Sequence, residues 1–304
     1  MPYVETPLTE SMRDTIEKAW GRGFGGEAER LFGGEESAAY RIADVVVRVG
    51  PVWRDTAEAE WCHSIAVHAA SVMPEAVAPL RTADGATVVR ADGRPLSLWP
   101  YVEGEWPDAD EPAVRLAGAR LLARLHRALA SYAPPPRPVA AFVETGLYGE
   151  APQDVPELAD PELDRWLAGF HRRNRTRHPL HGDYYTGNTL ARGGELVAVL
   201  DWDEAIVGAP ELEVASAALE WSDEDSGAAA QWREFVAEYH RAGGTAGPMD
   251  DVTVAQLIRH RLRREAAYFE LARRRGAEHD EDDVEYYRRR VEMFFDLRPS
   301  ARAS

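Results

Sequence analysis

Lysine is nearly missing from this chain. Lys18 is the one lysine among 35 basic residues, so any fixed positive side chain needed beyond it must be arginine. Cysteine is as scarce. Cys62 alone excludes an intramolecular disulfide and suits a reducing, cytoplasmic setting. It falls in an expected helix, where a small core residue is a better reading than a nucleophile. Long apolar runs are absent too, and none approaches the length needed to span a membrane. Met1–Glu10 carries acids and prolines rather than a basic segment followed by an apolar one, so no signal peptide is expected. Positive charge is also short. The 35 bases face 52 acids, a net of −17, which argues against polyanionic partners such as nucleic acid.

What is present suits a folded enzyme-sized chain. The 304 residues are 45% hydrophobic, enough for one large domain or two lobes with a substantial core. The acids are unevenly placed. Between residues 201 and 250, twelve acids face only Arg233 and Arg241, a local net of −10.

Along the chain, residues 9–20 read as a helix, with Thr9 as N-cap and Gly21 beyond its end. Leu31–Ile42 and Val45–Val49 read as strands, the first punctuated by Gly33-Gly34. Thr56–Ala70 is helical in pattern, and Thr87–Arg90 and Leu96–Val102 are further strands. After Gly104 the character changes. Pro112–Ala130 has Val114, Leu116, Leu121, Leu122, Leu125 and Leu129 at helical spacing and should be buried. Tyr132–Pro138 is a proline-rich loop. Leu163–Arg173, Glu211–Trp221, Ala229–Ala242, Asp251–Arg275 and Asp280–Leu297 are expected helices. A strand-rich small lobe, residues 1–103, and a helical large lobe, residues 104–304, follow from this pattern, an α+β arrangement joined near Val102–Gly104.

The most informative stretch is His181-Gly182-Asp183-Tyr184-Tyr185-Thr186-Gly187-Asn188, followed by an apolar run that ends in Asp201. Phosphoryl transfer from a nucleotide needs a carboxylate to take the proton of an incoming hydroxyl. It also needs a carboxamide and a second carboxylate to hold a divalent cation on the phosphates. Asp183 fits the first role, and Asn188 and Asp201 fit the second, because Mg²⁺ takes oxygen ligands. In isolation the octet also fits a polar surface turn.

On these residues the chain resembles the aminoglycoside phosphotransferases and choline kinase-like small-molecule kinases, from about Arg30 to about Trp221. The resemblance implies a protein-kinase-like two-lobed fold with a small antiparallel sheet and a larger, mostly helical lobe. It implies transfer from ATP with Mg²⁺ to a small-molecule hydroxyl, with Asp183 as base and His181 as a support of the loop. The sequence does not discriminate between ATP and GTP. Leu31–Arg41 resembles the hairpin that covers the nucleotide, with Gly33, Gly34 and Ser37 offering donors to phosphate. In bare sequence its Gly-Gly is also an ordinary turn. Arg48 stands where kinases place a strand lysine. Its expected partner is Glu60, with Glu58 as the alternative, and an exposed strand arginine is the plain reading. Trp99–Gly104 resembles the hinge, where the Pro100 C=O and the Val102 N–H would read adenine. Asp203 is either a ligand of a second ion or a solvated carboxylate.

Where relatives often carry Gly-Asp-Pro and then Asp, this chain has Gly208-Ala209-Pro210 and Glu213. The acceptor is not legible. The acidic run around Trp221 (Glu220, Asp223, Glu224 and Asp225) suggests a cationic acceptor, an aminoglycoside-like antibiotic or an amino alcohol, or is merely a solvated loop. A nucleotide-binding module without catalysis is the competing reading.

Overall fold

Thr9 opens the first helix as its cap, its hydroxyl accepting from the Met12 N–H, and Gly21 closes it in the left-handed region. This helix, α1 (Glu10–Trp20), buries Met12 and Ile16 against a sheet. The protein is described from a computed structural model over residues 6–23, 25–31, 37–139, 155–174, 176–222, 228–274 and 279–299. Gly33 and Gly34, the glycines of the expected nucleotide hairpin, lie outside the described residues.

The sheet contains β1 (Glu29–Leu31), β2 (Ala38–Ile42), β3 (Val45–Val49), β4 (Val89–Ala91) and β5 (Arg94–Pro100). Their order is β1-β2-β3-β5-β4, and every pair is antiparallel. The single strand expected over Leu31–Ile42 is therefore two strands around the undescribed turn. Period-two alternation decides which side chains face which way. Val45, Val47, Val49, Leu96 and Leu98 are buried with Met12 and Ile16 in a small core. Arg48, between two of those valines, is delivered to the opposite face, towards the rest of the molecule.

Between β3 and β4 runs α2 (Thr56–Val72), capped by Asp55, whose carboxylate accepts from the Glu58 N–H. Its Trp61, Cys62, Ile65, Ala66 and Ala69 join the larger core. That core gathers α3 (Pro112–Leu129), α4 (Pro161–Arg173), α5 (Pro210–Glu220), α6 (Ala228–Arg241), α7 (Asp251–Arg274) and α8 (Glu281–Asp296). Two short antiparallel pairs lie among these helices: β6 (His178–Leu180) with β9 (Ile206–Gly208), and β7 (Thr189–Arg192) with β8 (Glu195–Val199). The β7–β8 hairpin is tied on both sides. Val199 exchanges hydrogen bonds with the Glu75–Val77 segment, and Ala191 exchanges them with Glu105 just after the expected hinge. Gly104 makes the second contact feasible, because a Cβ there would lie 2.9 Å from the Ala191 carbonyl oxygen.

The arrangement is the two-lobed α+β, kinase-like one expected from the sequence. Among the described residues no helix is long and apolar enough to cross a membrane.

Candidate active site

The loop between β6 and β7 carries the octet, and its shape is fixed from within. Gly182 has φ +86°, and a Cβ there would lie 1.9 Å from the Glu204 carbonyl oxygen, so only glycine fits. His181 is fully buried and bridges two segments. Its Nε2 lies 2.7 Å from the Leu200 carbonyl, while Nδ1 accepts from the Asp183 N–H at 3.3 Å. One tautomer, with the proton on Nε2, satisfies both. Tyr184 is buried, stacks on Trp221 and donates to the Gly118 carbonyl at 2.9 Å. Asn188 uses its Nδ2 twice, on the Asp183 carbonyl at 2.9 Å and on Asp183 Oδ2 at 3.0 Å. The Asn188 carbonyl in turn accepts from the Leu200 N–H, next to Asp201. Asp183, Asn188 and Asp201 are thus linked through a short set of hydrogen bonds.

Glu213 holds the same loop from α5. Its carboxylate accepts from the His181 and Gly182 N–H groups and from His126 Nε2, 2.8 Å away. Burial works against this carboxylate, but the His126 hydrogen bond and the neighbouring histidines outweigh it and hold its pKa below the ordinary value. The longer Glu213, where relatives often carry Asp, thus reaches both the loop and α3.

Arg48 reaches from the sheet to the large lobe. Its Nη1 and Nη2 lie 3.1 Å from Asp201 Oδ1 and Oδ2, a bidentate pair, and Nη2 lies 3.1 Å from Asp203 Oδ2. Asp201 itself sits at φ +55°, a left-handed conformation that costs a non-glycine residue about 1–2 kcal/mol. The expected pairing of Arg48 with Glu60 does not occur. Glu60 instead accepts from the Thr87 and Val88 N–H groups at 2.7 and 3.0 Å. These two lie just before the short strand β4, where no ladder partner serves them. The alternative, Glu58, is taken by Arg54 and Arg137.

Arg54, which the sequence reading passed over, is buried, donates to the Asp203 carbonyl and lies 3.7 Å from the Asp203 carboxylate. Burial opposes ionisation of Asp203, yet Arg48 and Arg54 keep its pKa low. Asp203 is therefore an ion-paired carboxylate rather than a solvated one. Ser37, Arg48, Arg54, His63, Ser97 and Asp203 line one small cavity between the sheet and α2. Nearby Cys62 is no nucleophile, because burial pushes its thiol up to about 12. Pro100 ends β5, and Val102 follows beyond the ladder, after the Tyr101 N–H is tied to the Asp44 carbonyl.

The donors present suit a hard cation. Asn188 spends its amide nitrogen on Asp183, which leaves its Oδ1 for an ion, and Asp201 adds carboxylate oxygens. Among the described residues no three His, Cys, Asp or Glu side chains form a metal cluster. The oxygens of Asn188 and Asp201 fit an ion held jointly with phosphate oxygens, as Mg²⁺ is commonly held.

Two further arginines were not legible. Arg261 Nη2 lies 3.0 Å from Asp183 Oδ1, and Arg264 donates to the Gly182 carbonyl at 3.2 Å. Their i, i+3 spacing in α7 was a possible signal, but nothing in the sequence said which loop that face meets. Of the acidic run around Trp221, only Glu220 lies among the described residues. Glu220 is engaged by Arg290 and lies 3.9 Å from Arg261. Glu234 and Glu238 also pair with arginines. Asp223, Glu224 and Asp225 lie outside the described residues.

Comparison with known proteins bears on the fold and the family. No curated protein matches the chain. Amicoumacin kinase, solved with AMP-PNP and Ca²⁺, superposes with a TM-score of 0.72 at 15% identity, over 94% of this chain and 92% of that one. A choline/ethanolamine kinase family protein from Mesorhizobium loti gives 0.65 at 18% identity, over 96% and 95%. Spectinomycin phosphotransferase, solved with ADP and its antibiotic, gives 0.63 at 13% identity, over 96% and 99%. At such identities the likeness speaks for the fold. The family model described as the phosphotransferase enzyme family matches residues 27–251, and the chain belongs to that family.

Proposed function

We propose that this phosphotransferase is an ATP- and Mg²⁺-dependent kinase that phosphorylates a hydroxyl of a small molecule. One observation carries the reading. Asp183 and Asn188 are locked together in one loop, and Arg48 ties the neighbouring Asp201 to the sheet. In this reading Asp183 orients the acceptor hydroxyl and takes its proton. Asn188 and Asp201 hold the ion, which when bound neutralises phosphate charge. Arg48 offers its guanidinium fork to the phosphates, in place of the usual lysine. Ser37, Gly33 and Gly34 cover the phosphates, and the Pro100 C=O and Val102 N–H read the base. AMP-PNP and ADP in two related structures match an adenine nucleotide, and GDP in a third keeps GTP as the alternative donor. Glu60 has no part in this site.

A second reading has one observation in its favour. Both Asp201 oxygens are engaged by Arg48, which would suit a nucleotide-binding module of weak activity. ATP consumption across a panel of hydroxyl compounds separates the two. Acceptor-dependent ADP release supports the kinase. Nucleotide binding without turnover on any acceptor supports the module.

A further inference from the structure

The charge around the candidate base deepens this reading and rests on it. Helix α7 turns Arg261 and Arg264, three residues apart, towards the loop that carries Asp183. Arg261 divides its guanidinium. Nη2 bonds Asp183, Nε bonds Glu265, and Nη1 is buried with no hydrogen-bond partner. A buried donor left open is unfavourable, and a ligand oxygen would satisfy it. Arg264 makes one hydrogen bond, to a carbonyl, and no ion pair among the described residues. Burial and the nearby Arg261 disfavour its charged form, against the pull of Glu204, Asp183 and Glu265.

The open groups beside Asp183 are therefore mainly N–H donors. The carboxylates on that side are already spent, Glu265 on Arg261 and Arg290, and Glu220 on Arg290. Glu204 is the exception, since no ion pair among the described residues engages it. Burial pushes its pKa up, towards the neutral acid, and Asp183 adds to that push against the pull of Arg264. A cationic acceptor would meet two guanidiniums and few free carboxylates. An acceptor with its own carboxylate would meet the fork geometry that binds carboxylate bidentately.

We infer that the acceptor is an anionic alcohol of the hydroxy acid class, with its carboxylate on Arg264 and the open Arg261 donor and its hydroxyl at Asp183. Arg261 and Arg264 are then specificity-determining residues.

Matched acceptor sets test this on the full chain with ATP and Mg²⁺. Each set holds a hydroxy acid, its uncharged amide and the corresponding amino alcohol on one carbon skeleton (glycerate, glyceramide and 3-amino-1,2-propanediol form one such set). Phosphorylated product is measured directly. The hydroxy acid should lead its amide in kcat/KM by about 10-fold or more, chiefly through KM, the range set by a charge-assisted hydrogen bond. Arg264→Glu should invert the order within a set, and Arg264→Lys should largely keep it. These orders are ratios within one protein, so a general loss of activity cancels. If Arg264→Glu does not fold, Arg264→Gln should bring acid and amide to near parity. Preference for the amide or amino alcohol, or an order untouched by Arg264→Glu or Arg264→Gln, overturns the inference. ATP hydrolysis that depends on Asp183, without transfer to any hydroxy acid, overturns it alone. Absence of both transfer and such hydrolysis overturns the kinase reading as well.

Discussion

Arg48 is a single side chain that bridges the two lobes. Its fork spans both oxygens of Asp201 and reaches Asp203, and a lysine amine cannot make that bidentate contact. Truncation to alanine should lower nucleotide affinity about tenfold or more, as loss of a charge-assisted pair would. Lysine should restore only part of it. Calorimetry with AMP-PNP reads both, and unchanged affinity and turnover in Arg48→Ala would remove Arg48 from the site. Position 48 was legible because it stands where kinases place a strand lysine, and alternation in Val45–Val49 puts it on the face away from the small core. Its partner was not. Choosing between Glu60 and Asp201 requires knowing where residues 150 positions downstream fold, and no local pattern carries that. Arg54 was missed for the same reason, since it lies in a loop and meets Asp203 only through the tertiary fold.

At the scale of elements, the loop that carries Asp183 is held by helices some distance along the chain. Glu213 in α5 takes two loop N–H groups and His126 of α3, and His126 passes the connection to Tyr239 of α6. Replacing Glu213 by alanine leaves buried donors unsatisfied and should cost about 2–4 kcal/mol of stability. Activity should fall mainly in kcat, with nucleotide affinity kept. Denaturant melts and steady-state kinetics check this, and a wild-type kcat in a stably folded Glu213→Ala would contradict it. Gly182→Ala is expected to be harsher, because the added Cβ would overlap the Glu204 carbonyl. Most helices were readable from caps and apolar spacing. α1 starts after Thr9 and stops at Gly21 as the residues suggest. The strands β6 and β9 were not readable, because three-residue strands are too short to show a period.

For the whole molecule, several acids of the large lobe pair with arginines, Glu220, Glu234, Glu238 and Glu265 among them, so net charge alone does not place the acceptor. Stability should also depend on acidity in a stated direction. Burial lowers the pKa of His63 to about 4 from 6.5, and burial also depresses His178 and His260. The unfolded chain then binds more protons than the folded one between these values. Stability is full above about pH 6.5 and falls as pH drops towards 4, with His63 contributing about 3 kcal/mol. A second loss follows at lower pH, as ion-paired carboxylates such as Glu265, held at about 2, become protonated. Urea melts between pH 7 and 4 should show the first decline, and it should be shallower in His63→Gln. A flat profile for the wild type would contradict the burial of these imidazoles.

The central claim is that Asp183 serves the acceptor while other residues serve the nucleotide. The most direct measurement pairs AMP-PNP affinity with the rate of ATP turnover, on wild type and Asp183→Ala, with Mg²⁺ and a productive hydroxyl acceptor. The account predicts a loss of turnover of at least about 10²-fold, with nucleotide affinity within a few-fold of wild type. Near-normal turnover in Asp183→Ala, or a loss explained entirely by failed nucleotide binding, would contradict it.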